Sequence, residues 1–177
     1  MWPLETVRAV LDIARAHDMR AHLDGARLMN AVVASGTGAA EWAGGFDTAW
    51  IDFTKGLGAP VGAVLAGSRE LIDEAWRYKQ MIGGALRQSG IVAAACLYAL
   101  DHHVARLAEL PGFDAQPPDT NIVIADVTDA PSLVSALWDR GVEVTPMAPT
   151  RIRCVTHLDV AAADIERALA AFREAAA

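Results

Sequence analysis

Lys55 ends an apolar segment and opens the Gly-rich turn Lys55-Gly56-Leu57-Gly58-Ala59-Pro60. A strand end followed by such a turn holds an amine close to backbone and away from bulk water, which favours its neutral, nucleophilic form. A neutral amine attacks a carbonyl to form a Schiff base, and the same nitrogen can later move a proton. An exposed loop lysine is the reading that spacing alone leaves open. Asp24 closes a second apolar segment and is followed by Gly25-Ala26-Arg27. A carboxylate at the C-terminal end of a strand lies where open α/β sheets form their ligand crevice. It is equally suited to cap the helix that would contain Leu28. The two residues are 31 positions apart, room for one helix and one strand, so both can reach the same rim of a sheet.

Helical and strand signals alternate through the first two thirds of the chain, as expected of an α/β domain with a mainly parallel sheet. From Pro3, the residues Val7, Val10, Leu11 and Ala14 recur at helical spacing until His17. A strand is expected over Arg20 to Asp24, a helix from Leu28 to the glycines at 36 and 38, and a strand over Thr48 to Phe53. The apolar run Val61 to Ala66 predicts a strand covered on both faces. Helix follows from Ser68 through Trp76, breaks at Gly83-Gly84, and resumes as a buried, Ala-rich helix from Leu86 to about Leu107. The Pro-rich stretch Leu110 to Asp119 is the expected domain boundary, dividing residues 1–109 from a small α+β part, residues 110–177. In that part strands are expected over Asn121 to Val127 and Arg151 to Thr156, and helices over Pro131 to Arg140 and Ala161 to Ala175.

Composition narrows the field of partners. Fifteen Lys and Arg stand against 22 Asp and Glu, for a formal charge of −7, and the only lysines are Lys55 and Lys79. No basic face is available for nucleic acid or anionic lipid, so neither is an expected partner. The longest apolar stretch, Ile91 to Leu100, is too short for a membrane span of ~20 residues, and a cytoplasmic location is expected. Cys96 and Cys154 lack CxxC spacing and read as buried structural thiols, with no metal site. Thirty-six of the 177 residues are Ala, which leaves the core short of bulky side chains.

Four ordered motifs resemble the threonine aldolase family, which includes the aromatic amino acid beta-eliminating lyases: His22-Leu23-Asp24-Gly25-Ala26-Arg27, Lys55 through Gly62, Gly83-Gly84-Ala85-Leu86-Arg87-Gln88, and Arg153-Cys154-Val155-Thr156-His157-Leu158-Asp159-Val160. The resemblance implies part of the large domain of a fold-type I, aspartate aminotransferase-like enzyme, with flanking helices on a mainly parallel sheet and a small α+β C-terminal subdomain. It implies pyridoxal 5'-phosphate as cofactor, with Lys55 joined to it as a Schiff base and Asp24 paired with the pyridine nitrogen, keeping the ring an electron sink. Arg27 and Arg153 would hold the substrate carboxylate in guanidinium forks. Thr54 and Arg87 would contact the cofactor phosphate, Arg87 across a subunit interface. The implied reaction is retro-aldol cleavage of L-threonine or L-allo-threonine to glycine and an aldehyde, in a homo-oligomer.

The sequence also departs from that family. Trp2-Pro3-Leu4 resembles an interior segment, so Met1 is expected to be an internal start, without the part that supplies the ring-stacking residue and much of the phosphate cup. A second gap is expected after Leu107. Two other readings therefore stand beside the lyase: an impaired fragment that acts as a folding or oligomerisation unit, and an unrelated α/β binding module. Among the histidines, His22 is expected to pack or hydrogen-bond beneath a cofactor, and His102 and His103 to lie at the surface of a helix end.

Overall fold

The computed structural model describes residues 1–109 and 120–175, so the expected Pro-rich boundary, residues 110–119, lies outside the described residues. The chain forms two compact units, Met1–Leu107 and Ala108–Ala177.

In the first unit, α1 (Leu4–Ala16) runs from Pro3, whose fixed φ suits a helix start, to His17. It buries no residue. Its ties are polar: Arg15 donates to the Gly45 carbonyl at 2.7 Å and to the Asp47 carboxylate at 2.9 Å, and the Ala21 amide donates to that carboxylate at 2.7 Å. Strand β1 (His22–Gly25) leads to α2 (Leu28–Ser35), which Gly36 ends at φ 69°, and a short α3 (Ala39–Ala43) precedes β2 (Thr48–Asp52). The helical crossover makes β1 and β2 parallel neighbours.

Strand β3 (Ala63–Gly67) pairs antiparallel with β2, giving the order β1-β2-β3. The expected mainly parallel sheet is corrected here: the connection over residues 53–62 is too short for a parallel crossover, which takes about a dozen residues or more. Nor is β3 covered on both faces, because all five of its residues are exposed. Helix α4 (Arg69–Met81) begins at Ser68, whose hydroxyl accepts from the Leu71 amide at 3.3 Å. Helix α5 spans Gly90–His102, shorter than expected, and is followed by a 3-10 turn, Ala105–Glu109. Only Cys96 and Ala99 of α5 are buried, so the apolar face that composition assigned to a core is open to solvent.

The second unit is an antiparallel sheet in the order β4-β6-β5, from β4 (Ile122–Asp126), β5 (Thr145–Ala148) and β6 (Arg151–Val155). Helices α6 (Ala130–Trp138) and α7 (Ala162–Ala175) add to it. Alternation on β6 sends Ile152 and Cys154 into a cluster with Ala130, Leu137, Val144 and Ala171. Both cysteines are buried and unbridged, and burial pushes the Cys154 thiol up to about 11. Among the described residues no helix is long and apolar enough to cross a membrane.

Candidate active site

Parallel pairing aligns Asp24 with Trp50 and Gly25 with Ile51. Asp24 and Trp50 therefore share one face of the sheet, at the end where both strands run out. His22 and Thr48 lie on the same face, His22 Nδ1 being 2.8 Å from Thr48 Oγ1. Strand spacing adds Asp52 to that face. Gly25 allows this closeness, since a Cβ there would lie 2.3 Å from the Trp50 carbonyl oxygen.

Past Asp52 the chain turns sharply, and Lys55 folds back over the strand it has just left. Its Nζ is 2.7 Å from Asp52 Oδ2 and 5.1 Å from the centroid of the Trp50 ring. Trp50 is thus a neighbour of both residues singled out from spacing: Asp24 is its registered partner, and the Lys55 amine lies over its ring. The turn is firmly held. The Ala59 amide donates to the Phe53 carbonyl at 2.8 Å, the Phe53 amide to the Gly62 carbonyl at 3.0 Å, and the Gly58 amide to the Lys55 carbonyl at 3.0 Å. Gly56 packs so tightly on the buried Asn30 that a Cβ would come within 2.1 Å of its Oδ1. His103 Nδ1 lies 2.6 Å from the Leu57 carbonyl oxygen and joins the end of α5 to the same turn. His103 is thus half-buried beside the lysine loop rather than a surface residue.

Asp52 is the group that sequence reasoning missed. It is 8% exposed. Burial on its own would raise its carboxyl, but hydrogen bonds from Lys55, the Thr54 hydroxyl and the Thr54 amide, with the charge of Lys55, hold it below the usual carboxylate value. The Thr54 hydroxyl and amide both reach Asp52 Oδ1, at 2.5 and 2.8 Å. Alternation from Thr48 through Trp50 to Asp52, with a lysine three positions on, was the available signal.

The remaining expected residues are more dispersed. Asp24 is exposed and accepts from the Ala26 amide at 3.2 Å in a local turn. It is not the cap of α2, a position held by Arg27, which is half-buried. Arg87 is exposed in the turn before α5. Arg153 lies in the second unit, half-buried on β6 and paired in register with Ile124 and Thr145. No group of three or more His, Cys, Asp or Glu residues gathers as a metal site among the described residues.

The comparisons with known proteins converge. Residues 1–129 match the family described as beta-eliminating lyase. The low specificity L-threonine aldolase of Escherichia coli O157:H7 is 36% identical over 97% of this chain and 55% of its own length. The low-specificity L-threonine aldolase 1 of Arabidopsis thaliana is 31% identical over 97% of this chain and 54% of its own. Among solved structures, one assigned as an L-allo-threonine aldolase from Listeria monocytogenes superposes with a TM-score of 0.76 at 18% identity, over 99% of this chain and 57% of that one. A serine palmitoyltransferase from S. paucimobilis, solved with bound PLP-myriocin aldimine, gives 0.69 at 21% identity over 96% and 50%. The structural likenesses establish a shared fold. The chain spans about half the length of the curated relatives it matches. With Asp24 in register with Trp50, the Lys55 amine over that ring, and the family match running over β1, β2 and the turn that follows, the chain belongs to the beta-eliminating lyase family.

Proposed function

We propose that the chain is the lysine-bearing part of a pyridoxal-phosphate-dependent lyase that cleaves β-hydroxy-α-amino acids such as L-threonine and L-allo-threonine to glycine and an aldehyde. The observation that carries this reading is the convergence of Asp24 and the Lys55 amine on Trp50 at the C-terminal ends of β1 and β2. The names of the relatives support it.

The residues present fit the cofactor by their chemistry. Asp24 offers an exposed carboxylate that can accept a hydrogen bond from a pyridinium nitrogen, and Lys55 offers an amine that can condense with an aldehyde. When bound, pyridoxal phosphate supplies an electron sink for the charge that develops at the substrate Cα. Lys55 is the group that gives up and later takes back a proton at its Nζ. Arg27 and Arg153 are assigned to the substrate carboxylate, whose bidentate pairing fixes orientation of the bond to be broken. Arg87 is assigned to the phosphate. Thr54 joins it only by turning its single hydroxyl proton away from Asp52.

On this reading residues 1–109 belong to a cofactor-binding large domain and residues 110–177 to a shortened small domain, and the enzyme is a cytoplasmic homo-oligomer. A second reading, a fragment that serves as a folding or oligomerisation unit, is favoured by the open apolar faces of β3, α4 and α5. One experiment separates the two. Protein incubated with pyridoxal phosphate, reduced with borohydride and mapped by peptides is expected to carry the adduct on Lys55 and not on Lys79, and to lose it in Lys55→Ala. Absence of label on Lys55 in the unaltered chain overturns the lyase reading and leaves the second. Glycine release from threonine then tests the cleavage itself.

A further inference from the structure

We infer that Asp52 is a positioning residue for the Lys55 amine: a buried carboxylate, fixed by Thr54 at the end of β2, that holds Nζ on the Trp50 face of the sheet until a carbonyl takes its place. The proposal deepens the reading above and rests on it only for the identity of the aldehyde.

The geometry is unusually complete for a single carboxylate. Oδ1 accepts both the amide and the hydroxyl of Thr54, at 2.8 and 2.5 Å, so the carboxyl plane cannot turn freely. Oδ2 is left to face Nζ at 2.7 Å. With Asp52 8% exposed, its charge has few water partners, and releasing the lysine leaves a buried anion short of one hydrogen bond. The Lys55 side chain is more open, at 36%. A closed anion thus faces an accessible cation, which suits a holder and a group to be handed on.

A holder has a distinctive effect on reactivity. The ion pair withdraws the amine from carbonyls that arrive from any direction, yet keeps it where an aldehyde seated beside Asp24 would find it. Removal of the carboxylate should therefore speed reaction with a small, undirected aldehyde and slow reaction with a seated one. Lys79, on α4 with its Nζ 4.9 Å from the Trp76 ring centroid, is the internal standard, since the chain has no third lysine.

The test uses two aldehydes at neutral pH with borohydride trapping and peptide mapping, scored as the Lys55 to Lys79 ratio. In Asp52→Asn, with circular dichroism matching the unaltered chain, the formaldehyde ratio is expected to rise severalfold and the pyridoxal phosphate ratio to fall severalfold. Asp52→Glu, which keeps the charge, should return both ratios towards the original. Ratios that both rise in Asp52→Asn mean only a loosened turn and overturn the proposal, as do ratios that stay put. If Asp52→Asn fails to fold, Asp52→Ser decides by the same two ratios: a rise with formaldehyde and a fall with pyridoxal phosphate support the proposal, and any other result overturns it. If pyridoxal phosphate never reaches Lys55 in the unaltered chain, the lyase reading fails, while the formaldehyde arm still judges the hold of Asp52 on the amine.

Discussion

The two units of this chain spend their apolar residues differently. The second, though smaller, closes a core: Leu137 and Ile152 are 0% and 1% exposed, and Val144, Cys154, Ala130 and Ala171 fill in around them. The first, which bears Asp24 and Lys55, also buries large side chains, with Leu57 and Phe53 at 2% and 3% exposed, but it leaves Val64, Leu65, Trp76, Ile82, Ile91 and Leu97 open to solvent. Stability in the second unit is concentrated in a few side chains. The first joins its buried groups around the lysine turn to polar ties along α1, and its open apolar faces are a surface for further burial.

The sharpest way to break this comparison is at Leu137. Leu137→Ala should cost about 3 kcal/mol, through lost burial and the cavity left behind. Urea unfolding followed at Trp138, the single tryptophan of the second unit, would show it; a loss under about 1 kcal/mol would mean that the cluster is not a closed core.

A smaller effect sharpens the account of the first unit. The carboxyl of Asp52 is lowered on folding, so its contribution is full above its ordinary value of 3.8 and disappears as pH falls through the lower folded value. Between about pH 5 and about pH 2 the stability of Asp52→Asn should decline less steeply than that of the unaltered chain, as read from urea midpoints. Parallel decline would show that the ion pair adds nothing to folding.

The smallest effect is expected on the open face. Ile91 is 83% exposed, so Ile91→Ser should change stability by no more than about 0.5 kcal/mol while reducing self-association in sedimentation. A stability cost near that of Leu137→Ala would erase the distinction between the units.

Much of the framework was legible because its signals are local. The periodicity of α1, the glycine that stops α2 and the strand before Lys55 are written in neighbouring residues. The elements that went unseen have weak or contrary local signals: α3 is five residues framed by glycines, and β5 is four residues with Pro146 inside it. At β3 and α5 the apolar runs suggest a cover that the fold does not supply, because hydrophobicity records what a segment can bury and not what lies against it. In the site, Asp24 and Lys55 stood out through their places at strand ends. Asp52 and His103 act through a carboxylate pair and a carbonyl contact that arise only when the turn closes.

That turn has a mechanical consequence. Its backbone is pinned from Phe53 to Gly62, from Ala59 to Phe53 and from Leu57 to the end of α5. The pivot of the lysine is stationary, and all the travel of its amine comes from its own four-carbon stem. The molecule behaves as a fixed post with one jointed arm, and the radius of that arm sets which atoms the nitrogen can serve.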